Sequence, residues 1–108
     1  VEVFHNEGDG RFWKLKDDDK LVSVFETVLE CENTDQVLNT AWALFNSYPD
    51  EFHGDPKHMG KVIVYRQKRL RSLSAGDVVV LTEGGTRTAW ACAVIGWAQI
   101  DETDGRLG

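Results

Sequence analysis

The chain has 108 residues, 42% of them hydrophobic and 28% charged, with a net charge of −6 at pH 7. That length holds one domain with a modest core, and the composition excludes an intrinsically disordered chain. No apolar run approaches the roughly 20 residues that span a bilayer, and an acidic balance excludes a general nucleic-acid coat.

Val1 to His5 alternates apolar and polar residues and reads as a first strand, followed by a loop at Asn6-Glu7-Gly8-Asp9-Gly10. Phe12, Trp13 and Leu15 form a second apolar patch, and Lys16-Asp17-Asp18-Asp19-Lys20 reads as a solvated turn. Leu21 to Glu30 is the next strand. With Leu21, Phe25 and Leu29 on one face and Val22, Val24 and Val28 on the other, it belongs in the middle of a sheet.

Asn33 or Thr34 caps a helix, since a short polar side chain there accepts from free N–H groups and Asp35 suits the positive end of the dipole. Val37, Leu38, Ala41, Trp42, Leu44, Phe45 and Tyr48 then recur at helical spacing and form one apolar face. Pro49 stops the helix, which is expected over about Asp35 to Ser47. Asp50 to Gly60 reads as a polar loop, and Lys61 to Tyr65 as a return to β-like sequence.

The clearest unit comes last. Ser74-Ala75-Gly76-Asp77 is a tight turn, and Val78 to Leu81 and Ala89 to Ile95 are the arms of a hairpin around Gly84-Gly85. The fold class expected is α+β: one main amphipathic helix packed on an antiparallel sheet with a C-terminal hairpin, a single domain over residues 1–100, and a frayed tail over 101–108.

Candidate chemistry is sparse. His53, Asp55 and His58 offer imidazole and carboxylate, but two histidines five apart around Pro56 do not share a helix face, so a polar surface loop is expected, with no metal and no cofactor. Ser72, Ser74, Cys31 and Cys92 are the nucleophiles, and none stands in a recognisable elbow. Gly84-Gly85 is not a phosphate cradle, because no Lys-Ser/Thr and no helix follow it. The expectation is therefore a protein that is not an enzyme. Cys31 and Cys92 are expected to be reduced, in keeping with a cytoplasmic location, since the N-terminus lacks a basic-then-apolar leader.

Lys61, Arg66, Lys68, Arg69 and Arg71 form one basic segment that contains no acid, whereas the other seven Lys and Arg share the rest of the chain with all eighteen Asp and Glu. The candidate binding residues are thus Lys61, Tyr65, Arg66, Lys68, Arg69 and Arg71, with Tyr65 as a stacking ring among phosphate-contacting cations. The competing reading is a solvated edge strand, where Lys and Arg block aggregation.

Ala41-Trp42, Phe45-Asn46, Tyr65-Arg66 and, above all, Arg71-Ser72-Leu73-Ser74-Ala75-Gly76-Asp77-Val78-Val79 carry a resemblance. From Ala41 onward the chain resembles a set of small uncharacterised proteins of actinobacteria, their plasmids and their phages. In these, Tyr-Arg and then Arg-Ser-Leu-Ser-Val-Gly-Asp-Val-Val precede a Gly-aromatic ending like Gly96-Trp97. Ala75 stands where Val is usual. The resemblance implies a mobile-element setting and no mechanism. The function expected is a small accessory protein that binds a host protein without catalysis. The alternative is nucleic-acid binding through the basic segment, and a metal-dependent enzyme comes third.

Overall fold

A computed structural model describes residues 1–107, which form five strands and two α-helices: β1 (Glu2–Asn6), β2 (Leu21–Glu26), α1 (Thr34–Phe45), α2 (Met59–Gln67), β3 (Val78–Glu83), β4 (Thr86–Cys92) and β5 (Trp97–Ile100). The class is α+β, as expected. The chain forms two compact units, one of Val1–Glu26 with the chain from Ser74 onward, the other of Thr27–Leu73. Among the described residues no helix is long and apolar enough to cross a membrane.

In the first unit the strands make one antiparallel sheet in the order β2-β1-β3-β4-β5. Val78 to Leu81 is buried on both faces, which fits the central place of β3, because a continuous apolar run has no solvent side to present. The β3–β4 hairpin closes through Gly84 and Gly85, both at positive φ (53° and 85°), with Glu83 paired to Thr86. This is the two-residue turn whose twist matches the strands. Phe4, Leu21, Val78, Val80, Ala89, Ala91 and Leu107 form a core on one face.

Three expectations about the sheet are corrected. β2 ends at Glu26, not Glu30, and it lies at an edge rather than in the middle. The expected face pattern is broken by a bulge: Phe25 faces Val3 but Ser23 faces Phe4, so Val24 is an extra residue, and Leu21 and Phe25 fall on opposite faces. The second hairpin arm ends at Cys92, and the chain turns back through Ala93 to Gly96 into β5. Residues 101–107, expected to fray, are held: Leu107 is in the core, and the Arg106 guanidinium pairs with Asp104 at 2.7 Å.

In the second unit Asn33 caps α1, its side chain accepting from the Gln36 amide at 2.9 Å. Val37, Leu38, Ala41, Leu44 and Phe45 are its buried face, while Trp42, expected among them, is 44% exposed. The run Lys61 to Tyr65, read as β-like, is helical. Asp55 accepts from the Lys57 amide and Pro56 opens a 3₁₀ turn that leads into α2, and Val62 and Tyr65 are buried three residues apart. Here helix entry and spacing override the β-branched composition. The Phe45 and Tyr65 rings meet at 4.8 Å, joining α1 to α2.

Candidate functional site

Asn6, Leu21, Val78, Cys92 and Trp97 all mark the same end of the sheet, because antiparallel pairing brings Asn6 against Leu21, Val78 against Ala91, and Cys92 against Trp97. Three connections emerge there: the long loop from Glu7 to Lys20, the Ser74–Asp77 turn, and the Ala93–Gly96 hairpin tip.

The long loop is built on two buried polar side chains. Asn6 donates from Nδ2 to Asp19 Oδ2 (2.9 Å) and to the Gly76 carbonyl (3.0 Å), and accepts from the Gly8 amide at 2.7 Å. Asp19, read from sequence as part of a solvated turn, is buried. Its carboxylate also accepts from the amides of Gly10 (3.0 Å) and Lys16 (2.8 Å). The hydrogen bond from Asn6, with those amides and the Lys16 charge, outweighs burial and holds its pKa down at about 2. A second carboxylate ties the loop to the sheet: buried Asp77 accepts from the amides of Asn6 and Ser74, each at 2.8 Å. On the far side Arg106 donates to the carbonyls of Lys16 (2.9 Å) and Asp19 (2.8 Å). Space is tight as well. A methyl group on Gly10 would lie 2.0 Å from the Lys14 carbonyl oxygen and 2.2 Å from Asp19 Oδ2.

Among the charged side chains at this end, four large apolar ones are also exposed. Phe12 is 60% and Trp13 57% exposed, and on the hairpin tip Val94 is 74% and Ile95 92% exposed. Phe12 has φ 69°, a left-handed conformation that costs a non-glycine residue energy and persists only where the surroundings impose it. Lys14 and Lys16 place their ammonium groups 4.8 and 5.7 Å from the centre of the Trp13 ring. The tip lies two to four strand spacings from the loop, roughly 10–19 Å at the usual separation. Rigid aromatic and aliphatic anchors beside cations are what a protein-binding surface is made of.

The basic segment is not one surface. Tyr65 is fully buried and its hydroxyl donates to the Arg71 carbonyl at 2.6 Å, so its proposed role as a stacking ring is withdrawn. Arg66 donates to the carbonyls of Ser47, Leu70 and Phe45 and to Ser72 Oγ, and lies 4.1 Å from the Tyr48 ring centre. It joins the end of α1 to the segment after α2 and commits four of its five N–H donors there. Arg71 bonds the Ser72 carbonyl; Lys68 and Arg69 are exposed, and Lys61 is half-buried.

The histidine cluster does not assemble: among the described residues no three His, Cys, Asp or Glu side chains stand close enough to hold a metal ion. Asp55 is the cap described above. His58 is buried, which with Lys57 and Lys61 lowers its pKa, and its Nδ1 has no hydrogen-bond partner. It lines a cleft of about 580 Å³ with Cys31, Gln36, Asn39, Thr40 and Asp55. Cys31 Sγ lies 3.9 Å from Thr40 Oγ1, and neither cysteine forms a disulfide. Ser72 and Ser74 serve the turns, Cys92 is a buried strand residue, and Trp90 is half-buried with Nε1 bonded to Thr88.

No protein-family signature, curated protein or solved structure matches this chain.

Sequence reasoning missed the sheet-end site. Signals for it were present: an Asn and two glycines alternating at 6, 8 and 10 announce a side-chain-bonded loop, and Gly96 announces a turn that exposes whatever precedes it.

Proposed function

We propose that this chain is a small phage- or plasmid-type accessory protein that binds a host protein in the host cytoplasm without catalysis, using the loop end of its sheet as the contact surface. The observation that carries the reading is the exposure of Phe12, Trp13, Val94 and Ile95 at one end of the sheet, the first two on a loop fixed by the Asn6, Asp19 and Asp77 hydrogen bonds and the last two on a tip closed by the Ala93 amide, which donates to the Gly96 carbonyl at 3.0 Å. A surface fixed in advance loses little entropy on binding, so its anchors act at nearly full strength.

The mobile-element setting rests on the resemblance through Arg71 to Val79. The physical roles of those residues support a non-catalytic reading. Ser72 accepts from Arg66, Leu73 is buried, Gly76 sits at φ 94°, and Asp77 bonds Asn6 and Ser74. Each of these residues has a structural task, which supports a reading of the motif without an active site.

The nucleic-acid alternative keeps Lys61, Lys68, Arg69 and Arg71 as contacts but loses Tyr65 and all but one of the Arg66 donors, on a chain of net charge −6. Titrating labelled duplex DNA over a salt series separates the two. The protein-binding reading expects no measurable affinity at physiological salt. Binding whose logarithm falls against log salt with a slope of about −0.9 per phosphate contact would favour the basic segment instead.

A further inference from the structure

The outer side of β5 differs from the other edge of the sheet. β2 carries a bulge at Val24 and ends in Glu26, two devices that discourage pairing with a stray strand. β5 reads Trp-Ala-Gln-Ile, with no charge, no proline and an unbroken register against β4. Ala98 and Gln99 are exposed, and no described strand pairs with its outer side.

Backbone direction on this edge follows from β4. The Cys92 amide donates to the Asp77 carbonyl and its carbonyl accepts from the Gly76 amide, each at 2.8 Å, so both groups of Cys92 point away from β5. Alternation then turns Ala91 and Ala89 toward β5, where they face Ala98 and Ile100, and leaves the N–H and C=O of Gln99 directed at the open edge.

We propose that this edge is a self-association surface, on which a second copy of the chain pairs antiparallel through β5 about a two-fold axis at Gln99. This goes beyond the host-binding reading and does not depend on it. The strand is complementary to itself in this register. Gln99 meets its own copy and exchanges both backbone bonds. On the core face Ile100 falls opposite Ala98 of the second copy and Ala98 opposite Ile100, so a large side chain meets a small one twice, and the half-buried Ile100 at the end of the core row gains a cover. Asp101 falls opposite Trp97 and Glu102 opposite Gly96, so no acid faces an acid, which matters for a chain of net charge −6. Three strand residues of each copy, Ala98 to Ile100, pair within β5, a contact smaller than a stable interface of about 1,000 Å², so the dimer is weak and concentration-dependent.

Sedimentation equilibrium on the intact chain tests this with a charge exchange. The wild-type chain should approach twice its 12.2 kDa mass as concentration rises. Gln99→Lys and Gln99→Glu each place like charges opposite across the axis, and each alone should stay at the single-chain mass while keeping the wild-type circular dichroism. An equimolar mixture should regain the double mass, which loss of folding cannot produce. Gln99→Pro removes the outward N–H without removing a bond to β4, as an edge strand tolerates, and should also give single chains. A wild type that stays monomeric at every concentration, variants that dimerise alone, or a mixture that fails to reassociate would each overturn the proposal.

Discussion

At one end of the sheet the chain reverses in two residues, Gly84 and Gly85, with nothing within 4 Å of the position a methyl group would take on either. At the other end the loop from Glu7 to Lys20 is tied down by Asn6, Asp19, Asp77 and Arg106, with glycines in close contact and Phe12 in a left-handed conformation. Both ends solve the same problem, returning the chain to an antiparallel neighbour, and the first does it with local backbone geometry alone. The second uses buried polar groups and a strained aromatic to fix apolar side chains in water. That difference separates a turn that only has to close from a surface that has to hold a shape, since strain and buried polarity persist where the surroundings impose them.

The comparison breaks most directly at Asn6. Asn6→Ala removes three side-chain hydrogen bonds and leaves Asp19, the Gly76 carbonyl and the Gly8 amide short of a partner, at a cost of about 3 kcal/mol measured by denaturant unfolding. A loss below about 1 kcal/mol would mean that water replaces those bonds and the loop is not fixed by them.

One substitution made at both ends sharpens the contrast. Gly10→Ala drives a methyl group into the Lys14 carbonyl and the Asp19 carboxylate, an overpacking cost of about 2–3 kcal/mol. Gly84→Ala meets no atom and pays only for its positive φ, about 1 kcal/mol. Equal losses at the two positions would deny that the ends differ in packing.

Acid acts on the loop end through its carboxylates. Asp19 and Asp104 each titrate at about 2 in the folded chain instead of the ordinary 3.8, lowered chiefly by hydrogen bonds from Asn6 and Arg106 respectively. Between those values the unfolded chain binds more protons than the folded one, so the stability these groups contribute is full above about pH 4 and is lost as pH falls toward 2. The melting temperature should therefore drop over that interval. In Asp104→Asn the drop should be shallower.

The smallest effect is expected at Phe12. Phe12→Asn relieves the left-handed strain, because asparagine tolerates that conformation, and should raise stability by about 0.5 kcal/mol while weakening partner binding. Destabilisation would show that the exposed ring packs within the chain after all.

These contrasts also explain what was legible in advance. The β3–β4 turn and the Asn33 cap could be read because their signals are local: two adjacent glycines, and a short polar side chain before an apolar period. The Asn6 and Asp77 contact joins residues 71 positions apart, and no local pattern marks it. Arg66 looked like surface because charge usually is, yet its planar fork bonds carbonyls from two other segments. Val94 and Ile95 looked like strand interior because apolar residues usually are, yet Gly96 at φ 75° closes the hairpin around them. In both cases composition gave the common reading and tertiary context the opposite one.

The claim that the loop end binds a host protein is tested most directly by affinity capture from nuclease-treated host lysate, run in parallel with three chains: wild type, Trp13→Ala with Ile95→Glu, and Thr82→Glu at the opposite end, where the new acid faces Arg87. All three should melt alike, since the altered side chains are largely exposed. A captured protein present with wild type and Thr82→Glu but lost with the double variant is the predicted result. Capture that is equal for all three chains, or that disappears on nuclease treatment, would contradict the account.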